Sequence, residues 1–412
     1  MIKEKLNIIT PVLKYWGLRE HPFEDYVLKG ETLRLFTGRD YELNKLVNAL
    51  TNRLNGLYGA RGVGKSSFLH KFEKTVIQDG LPVVYVSMSG ITEKALYREI
   101  LAELLKAIQK EQIKINRKYK VNAKDELERL ENSIKETNES EVGGQLVFKG
   151  GKKEAKEKSL RIHDEESAVK LIHNIINNSQ TAFVVIVDDL ERVEHIIDND
   201  NAYVRFISGV ARTIDESFSR QGIAFVVSLD EKFAEKVKQD LHNGEGAFSF
   251  GTLVGLPSFN PQETIKLIGV RLRDKKWSKN IAEFIDEDAF WLLMLSTSGH
   301  PRKMFALLRN SMEYVEFKKK KLKLDLEIIK HNLDEPTKDY DDKDLEILKY
   351  LSDKGAASAS DIAFQRKVGL SRKPLAERLK TLKDKLQLNC NKQAIGNTVK
   401  DIYSLPTVEF ND

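Results

Sequence analysis

Gly59-Ala60-Arg61-Gly62-Val63-Gly64-Lys65-Ser66 fits the pattern GxxxxGK[ST], and its setting decides how the chain is read. The residues before it, ending at Tyr58, read as a strand, and Ser66 to Val76 places apolar residues at helical spacing. A glycine-rich turn between a strand and a helix lets successive backbone N–H groups converge on an anion. The helix N-terminus adds partial positive charge. In that arrangement Lys65 reaches the β and γ phosphates of a nucleotide, and the Ser66 hydroxyl ligates Mg²⁺. Gly59, Ala60, Arg61, Gly62, Val63, Gly64, Lys65, Ser66 and Ser67 are therefore expected to hold ATP and its Mg²⁺.

Working outward, Pro82 to Ser87, Ala182 to Val187, Ile223 to Ser228 and Thr252 to Leu256 are short, nearly continuous apolar runs separated by helical stretches. Such runs imply an α/β fold with a parallel sheet covered on both faces. The run Val184 to Val187 ends in Asp188-Asp189. A carboxylate at the C-terminal edge of a parallel strand faces the crevice where nucleotides bind, so Asp188 is assigned to the Mg²⁺ shell and Asp189 to orienting the attacking water. From Pro261 to about Lys330 the pattern is wholly helical. The expected domains are a core over 1–260, a helical lid over 261–335 and a separate domain over 340–412.

These motifs resemble the AAA+ superfamily of ATPases over roughly residues 30 to 330. The resemblance implies that Ser228 senses the γ-phosphate and that Arg302, in Gly299-His300-Pro301-Arg302, is a lid sensor. It also implies that Thr37-Gly38-Arg39 packs near adenine. The chain departs from the family pattern in three places. Asp189 stands where glutamate is usual, with Glu191 as a possible substitute, and Ser228 stands where asparagine is common. No arginine occurs from Gln221 to Val270, where the family keeps a finger for a neighbouring subunit. Together these favour a slow nucleotide switch.

The last seventy or so residues give helix, helix, turn, helix and hairpin, the order of a winged helix. Ser360 and Ser371 are expected as caps, and Gly396-Asn397 as the tip of the wing. This part resembles the winged-helix domains of archaeal and eukaryotic origin-recognition initiators. Its third helix carries Arg372, Lys373, Arg378, Lys380 and Lys383 with Glu377 as the one nearby acid, the composition of a duplex-DNA reader. The alternative is a solvated basic face on a protein-docking module.

Residues 110 to 162 are polar and rich in Lys and Glu, and read as an insertion holding a hairpin-like piece, Gly144 to Gly151. Trp16 and Phe23 in the lead-in read as core contacts, His195 and His300 as packing or surface residues, and Lys318 to Lys321 as a solvated helix. The net charge of +5 over 412 residues is too small for indiscriminate coating of nucleic acid. One cysteine, Cys390, excludes an internal disulfide and multi-cysteine metal sites. No apolar run approaches membrane-helix length, so a cytoplasmic protein without a membrane role is expected. The functional expectation is an initiator- or loader-like ATPase that binds duplex DNA and has protein partners or self-assembles. Two rivals stay open: a STAND-type signalling or antiviral-defence ATPase whose winged helix is a packing module, and a transposition-helper ATPase.

Overall fold

The structure, a computed structural model, describes residues 11–18, 20–89, 95–116, 125–126, 165–190, 200–218, 220–235, 250–318, 322–333, 341–395 and 398–408. Most of the 110 to 162 insertion, including its hairpin-like piece, lies outside these residues. So do Glu191, His195, most of the Lys318 to Lys321 run and Gly396-Asn397. The chain divides into two compact units. One comprises Met1–Gly38, Gly62–Gly64 and Pro257–Asp412, and the other Arg39–Arg61 and Lys65–Leu256. The first opens with helix α1 (Pro11–Trp16).

The second unit holds the sheet. Its elements are α2 (Asp40–Asn48), β1 (Leu54–Tyr58), α3 (Lys65–Gln78), β2 (Val83–Ser87), α4 (Leu96–Gln109), α5 (Glu165–Asn178), β3 (Phe183–Asp188), α6 (Asp200–Ser217), β4 (Ile223–Leu229) and β5 (Thr252–Gly255). All pairings are parallel and the order is β2-β3-β4-β1-β5. β3 and β4 lie in the middle, and every residue of both is buried. That explains why their sequences are continuously apolar instead of alternating. α4 buries Leu96, Ile100, Leu101, Leu104 and Leu105 and packs on α5 and β2. Each such side chain contributes about 1.5–3 kcal/mol on leaving water. Register matters at the C-terminal edge. Leu57 pairs with Ser228, Ser87 with Asp188, and Val187 with Val227, so Asp188 and Ser228 end neighbouring strands.

The first unit is helical apart from one hairpin. It contains α7 (Pro261–Asp274), α8 (Ile281–Phe284), α9 (Glu287–Thr297), α10 (Pro301–Phe317), α11 (Leu326–His331), α12 (Asp342–Lys354), α13 (Ile362–Val368) and α14 (Arg372–Leu386). The hairpin is β6 (Asn389–Ile395) with β7 (Thr398–Ser404), antiparallel. α7 starts with a complete capping box, Asn260 bonding the Glu263 N–H and Glu263 reaching back, with Pro261 in its first turn. α9 is apolar all round because it is enclosed, touching α10, α11, α12 and α14. One continuous hydrophobic cluster runs from Leu13 through the lid helices to Leu386 and Tyr403.

Two expectations change. Residues of the lead-in were expected in the core domain, yet Leu13, Trp16, Leu18 and Phe23 are buried in the helical unit's cluster. Trp16 meets Trp277 and Phe284 at tilted angles (centroids 6.0 and 5.4 Å) and donates its indole N–H to the Met312 carbonyl at 3.2 Å. Phe23 meets Phe284 and Phe305. The second helix of the winged helix is capped by Asp361, which accepts from Ala363 and Phe364 N–H, and not by Ser360. A carboxylate there also faces the positive end of the helix dipole. Ser371 occupies the N-cap of α14 without a side-chain cap bond.

Trp16→Ala removes an indole from this cluster and its hydrogen bond to the Met312 carbonyl. It should destabilise the helical unit by about 3–5 kcal/mol, read as a lowered denaturant midpoint. An unchanged midpoint would mean that the lead-in does not belong to this core.

Candidate nucleotide site and basic helix

The phosphate-binding loop leaves β1 at Tyr58 and enters α3 at Lys65. Gly62 and Gly64 adopt φ of +90° and +103°, backbone that side-chain-bearing residues rarely reach. This is what allows the N–H groups to turn toward a common centre. Val63 between them is buried, which anchors the loop. The Lys65 ammonium is buried and donates to the Gly59 carbonyl at 2.8 Å, spanning the loop where a phosphate would be cradled. Ser66 and Ser67 follow in the first turn of α3.

The acid pair lies at the end of β3. Asp188 is buried, and both of its oxygens accept hydrogen bonds: Oδ2 from the Tyr85 hydroxyl at 2.7 Å and Oδ1 from the Asp189 N–H at 2.8 Å. The same Asp189 N–H lies 2.8 Å from Ser228 Oγ at the end of β4. Asp189 itself has φ +60°, a left-handed conformation that aspartate tolerates better than most residues. Its Oδ2 accepts from Ser87 Oγ at 3.3 Å. The sheet thus brings together Asp188, Asp189 and Ser228, with Ser228 fully buried and bonded to the acid strand.

Tyr85 was not singled out from the sequence, and the only signal for it is a hydroxyl inside an otherwise apolar strand. Burial, followed by the Asp188 charge and hydrogen bond, pushes its phenol well above the usual tyrosine range. It therefore stays a donor at neutral pH. The fit to a Mg²⁺ nucleotide is good on chemical grounds. Asp188 and Ser66 are hard oxygen donors, as Mg²⁺ requires, and Lys65 supplies a buried cation for phosphate. Among the described residues no cluster of three His, Cys, Asp or Glu side chains could hold a metal without a nucleotide.

In the helical unit Gly299 has φ +69°, and an added Cβ would lie 1.9 Å from the Phe259 carbonyl oxygen. Only glycine fits there, and the turn it makes starts α10 with Arg302 in its first turn. Arg302 Nε pairs with Asp25 Oδ2 at 2.5 Å. Its Cβ faces the loop tip, 3.1 Å from where a Gly62 Cβ would stand. His300 lies there too, as a packing residue.

On α14 the buried stripe is Leu375, Leu379, Leu382 and Leu386. At about 100° per residue, Arg372, Lys373, Lys380 and Lys383 fall with Ala376 in an arc of roughly 100° beside that stripe. All four cations are exposed, and Glu377 and Asp384 lie at the arc's far edge. Arg378 does not join them. It projects to the other flank and bonds Asp344 at 2.8 Å and Asp341 at 2.6 Å. The expectation that it neutralises a nucleic-acid backbone is corrected, because its charge is matched by the two acids that cap α12. The Lys343 N–H and then Arg378 hold the Asp341 carboxyl below the usual aspartate range.

Residues 42–243 match the KAP family P-loop domain, and residues 340–385 match a winged helix-turn-helix DNA-binding domain. No curated protein matches the chain. Among solved structures the chain is similar to a Walker-type ATPase of Pyrococcus abyssi, at 14% identity and a TM-score of 0.44, covering 92% of this chain and 97% of that one. It is also similar to the Aeropyrum pernix ORC1 protein in complex with DNA, at 14% identity and a TM-score of 0.39, covering 97% and 93%. A third is the Thermotoga maritima RuvB Holliday junction branch migration motor, at 13% identity and a TM-score of 0.38, covering 90% and 94%. The chain is thus a P-loop NTPase core with a C-terminal winged helix, as expected. No helix among the described residues is long and apolar enough to cross a membrane.

Lys65→Ala should abolish the thermal stabilisation that saturating ATP confers, since a ligand stabilises only the state that binds it. Asp189→Asn should keep that stabilisation and lose turnover by about 10²-fold or more. An undiminished ATP-induced shift in Lys65→Ala would refute the loop assignment.

Proposed function

We propose that this P-loop NTPase is a slowly hydrolysing ATP switch that grips duplex DNA through α14, in the manner of initiator and loader ATPases. The observation that carries the proposal is the arc of Arg372, Lys373, Lys380 and Lys383, four exposed cations on one side of the third helix of a winged helix. A helix with one cationic flank fits the phosphates lining a major groove, while its N-terminal residues meet base edges.

At the nucleotide, Lys65 exchanges its bond to the Gly59 carbonyl for the phosphate oxygens, and the loop N–H groups hold them in the cradle. Bound Mg²⁺, held by Ser66 and Asp188, supplies charge neutralisation at the β and γ phosphates. Asp189 orients a water for attack on the γ phosphorus, with the bond to the bridging oxygen breaking and ADP leaving. Slow turnover is supported by the shorter side chain of Asp189, by its bond to Ser87, and by the absence of arginine from Gln221 to Val270. Ser228 and Arg302 act as sensors of the γ-phosphate. The reading draws support from the bond between Ser228 and the acid strand within the sheet unit and, within the helical unit, from the position of Arg302 beside Gly62. The triphosphate state favours DNA: α10, which carries Arg302 in its first turn, contributes Met304 and Phe305 to the hydrophobic cluster that includes the winged helix, and both lie in one compact unit.

A second possibility draws support from that same cluster. A winged helix whose core is continuous with the lid could serve as a packing module in a signalling or defence ATPase.

Substituting Lys380 and Lys383 by alanine separates the two. Duplex affinity should fall across sequences, and the slope of log affinity against log salt should shrink by about one per lost contact. Arg378→Ala should instead lower the unfolding midpoint, by freeing two carboxylates at the start of α12, and leave the salt slope unchanged. Wild-type affinity and slope in the lysine double variant would overturn the DNA assignment in favour of the packing module.

A further inference from the structure

We infer that Tyr85, clamped by His70 of the P-loop helix, is a positioning residue that holds the Asp188 carboxylate for Mg²⁺. This rests on the role given above to Asp188, and it adds a residue that neither the loop nor the acid strand supplies.

Tyr85 lies on β2, opposite Ile186 of β3, two positions before Ser87 reaches Asp188. From there its hydroxyl donates to Asp188 Oδ2 at 2.7 Å, while the Asp189 N–H fixes Oδ1 at 2.8 Å. A carboxylate has about four lone-pair sites, so one bond to each oxygen fixes its plane and leaves acceptor capacity for the hydration shell of a metal. A phenol suits this purpose better than an ammonium. It orients the carboxylate without competing, as a cation would, for the charge that Mg²⁺ needs.

The phenol is itself restrained. The His70 ring lies flat on it, with centroids 4.4 Å apart and planes 11° from parallel. His70 Nδ1 in turn contacts Glu73 Oε2 at 2.9 Å, one turn further along α3. Glu73, His70, Tyr85 and Asp188 therefore form a chain from the P-loop helix through β2 to β3, all inside the sheet unit. It ties the helix that carries Lys65 and Ser66 to the acid that shares their metal. Groups behind a metal ligand commonly govern metal affinity by about 10–100-fold.

Binding of a fluorescent ATP analogue to the full chain, in EDTA and then with rising Mg²⁺, tests the inference. Wild type should bind more tightly as Mg²⁺ is added. Tyr85→Phe keeps the ring and its stack, so its thermal midpoint and its affinity in EDTA should match wild type. Its half-saturating Mg²⁺ should rise on the order of tenfold. His70→Ala should shift the Mg²⁺ titration in the same direction by a smaller factor. A wild-type Mg²⁺ titration in Tyr85→Phe would overturn the inference, as would an equal loss of affinity in EDTA, which marks a merely structural residue. If wild type shows no Mg²⁺ dependence, the metal role of Asp188 fails as well.

Discussion

The insertion of β4 between β1 and β3 is the constraint on which the site depends. It sets the ends of β1, β4 and β3 side by side, so that groups more than a hundred residues apart in the chain converge at one edge. The Asp189 N–H, shared between Asp188 Oδ1 and Ser228 Oγ, locks that edge and holds Asp189 in a left-handed conformation. Such backbone costs of order 1–3 kcal/mol and persists where the surroundings over-determine it. Here the fully buried strands β3 and β4 do so. The conformation swings the chain out of β3 and turns the Asp189 carboxylate toward Ser87 on β2.

The helical unit obeys a different constraint. α9 has no polar face, so it must be enclosed, and the elements that enclose it come from both the lid and the winged helix. The Trp16 and Phe23 segment closes another part of the same cluster. The first and third helices of the winged helix are further held by Arg378, which satisfies the two carboxylates of the capping box of α12. A cation used in this way is matched within the domain and adds little to an outward field. The field of α14 comes from the four cations on its other side.

The sheet was legible in the sequence because its signals are local: apolar runs of strand length, a glycine loop at fixed spacing, and acids directly after a strand. Asp188 and Asp189 stood out because they directly follow a strand run that ends at the sheet's C-terminal edge, whereas Ser228 stood out only through the resemblance to AAA+ ATPases. Tyr85 did not stand out, since its partner lies 103 positions away and a tyrosine within an apolar strand carries no mark of what its hydroxyl meets. Arg378 misled for the same reason. Its acids stand 34 and 37 positions earlier, on another helix, and only packing brings them within reach. In the structure Leu375, Leu379, Leu382 and Leu386 form the buried stripe of α14, and the remaining cations lie beside it. The lead-in was assigned to the wrong unit because sequence proximity to the loop says nothing about which core a tryptophan joins.

A nucleotide switch for DNA binding requires that the state of the loop alter the grip of α14, a coupling that acts equally in both directions. The direct measurement is duplex affinity of the full chain, at one fixed salt concentration, with a non-hydrolysable ATP analogue and with ADP. Binding tighter by about tenfold or more in the triphosphate state, a coupling of about 1.4 kcal/mol, is the predicted result. Equal affinity in the two states, with both nucleotides shown to be bound, would contradict it.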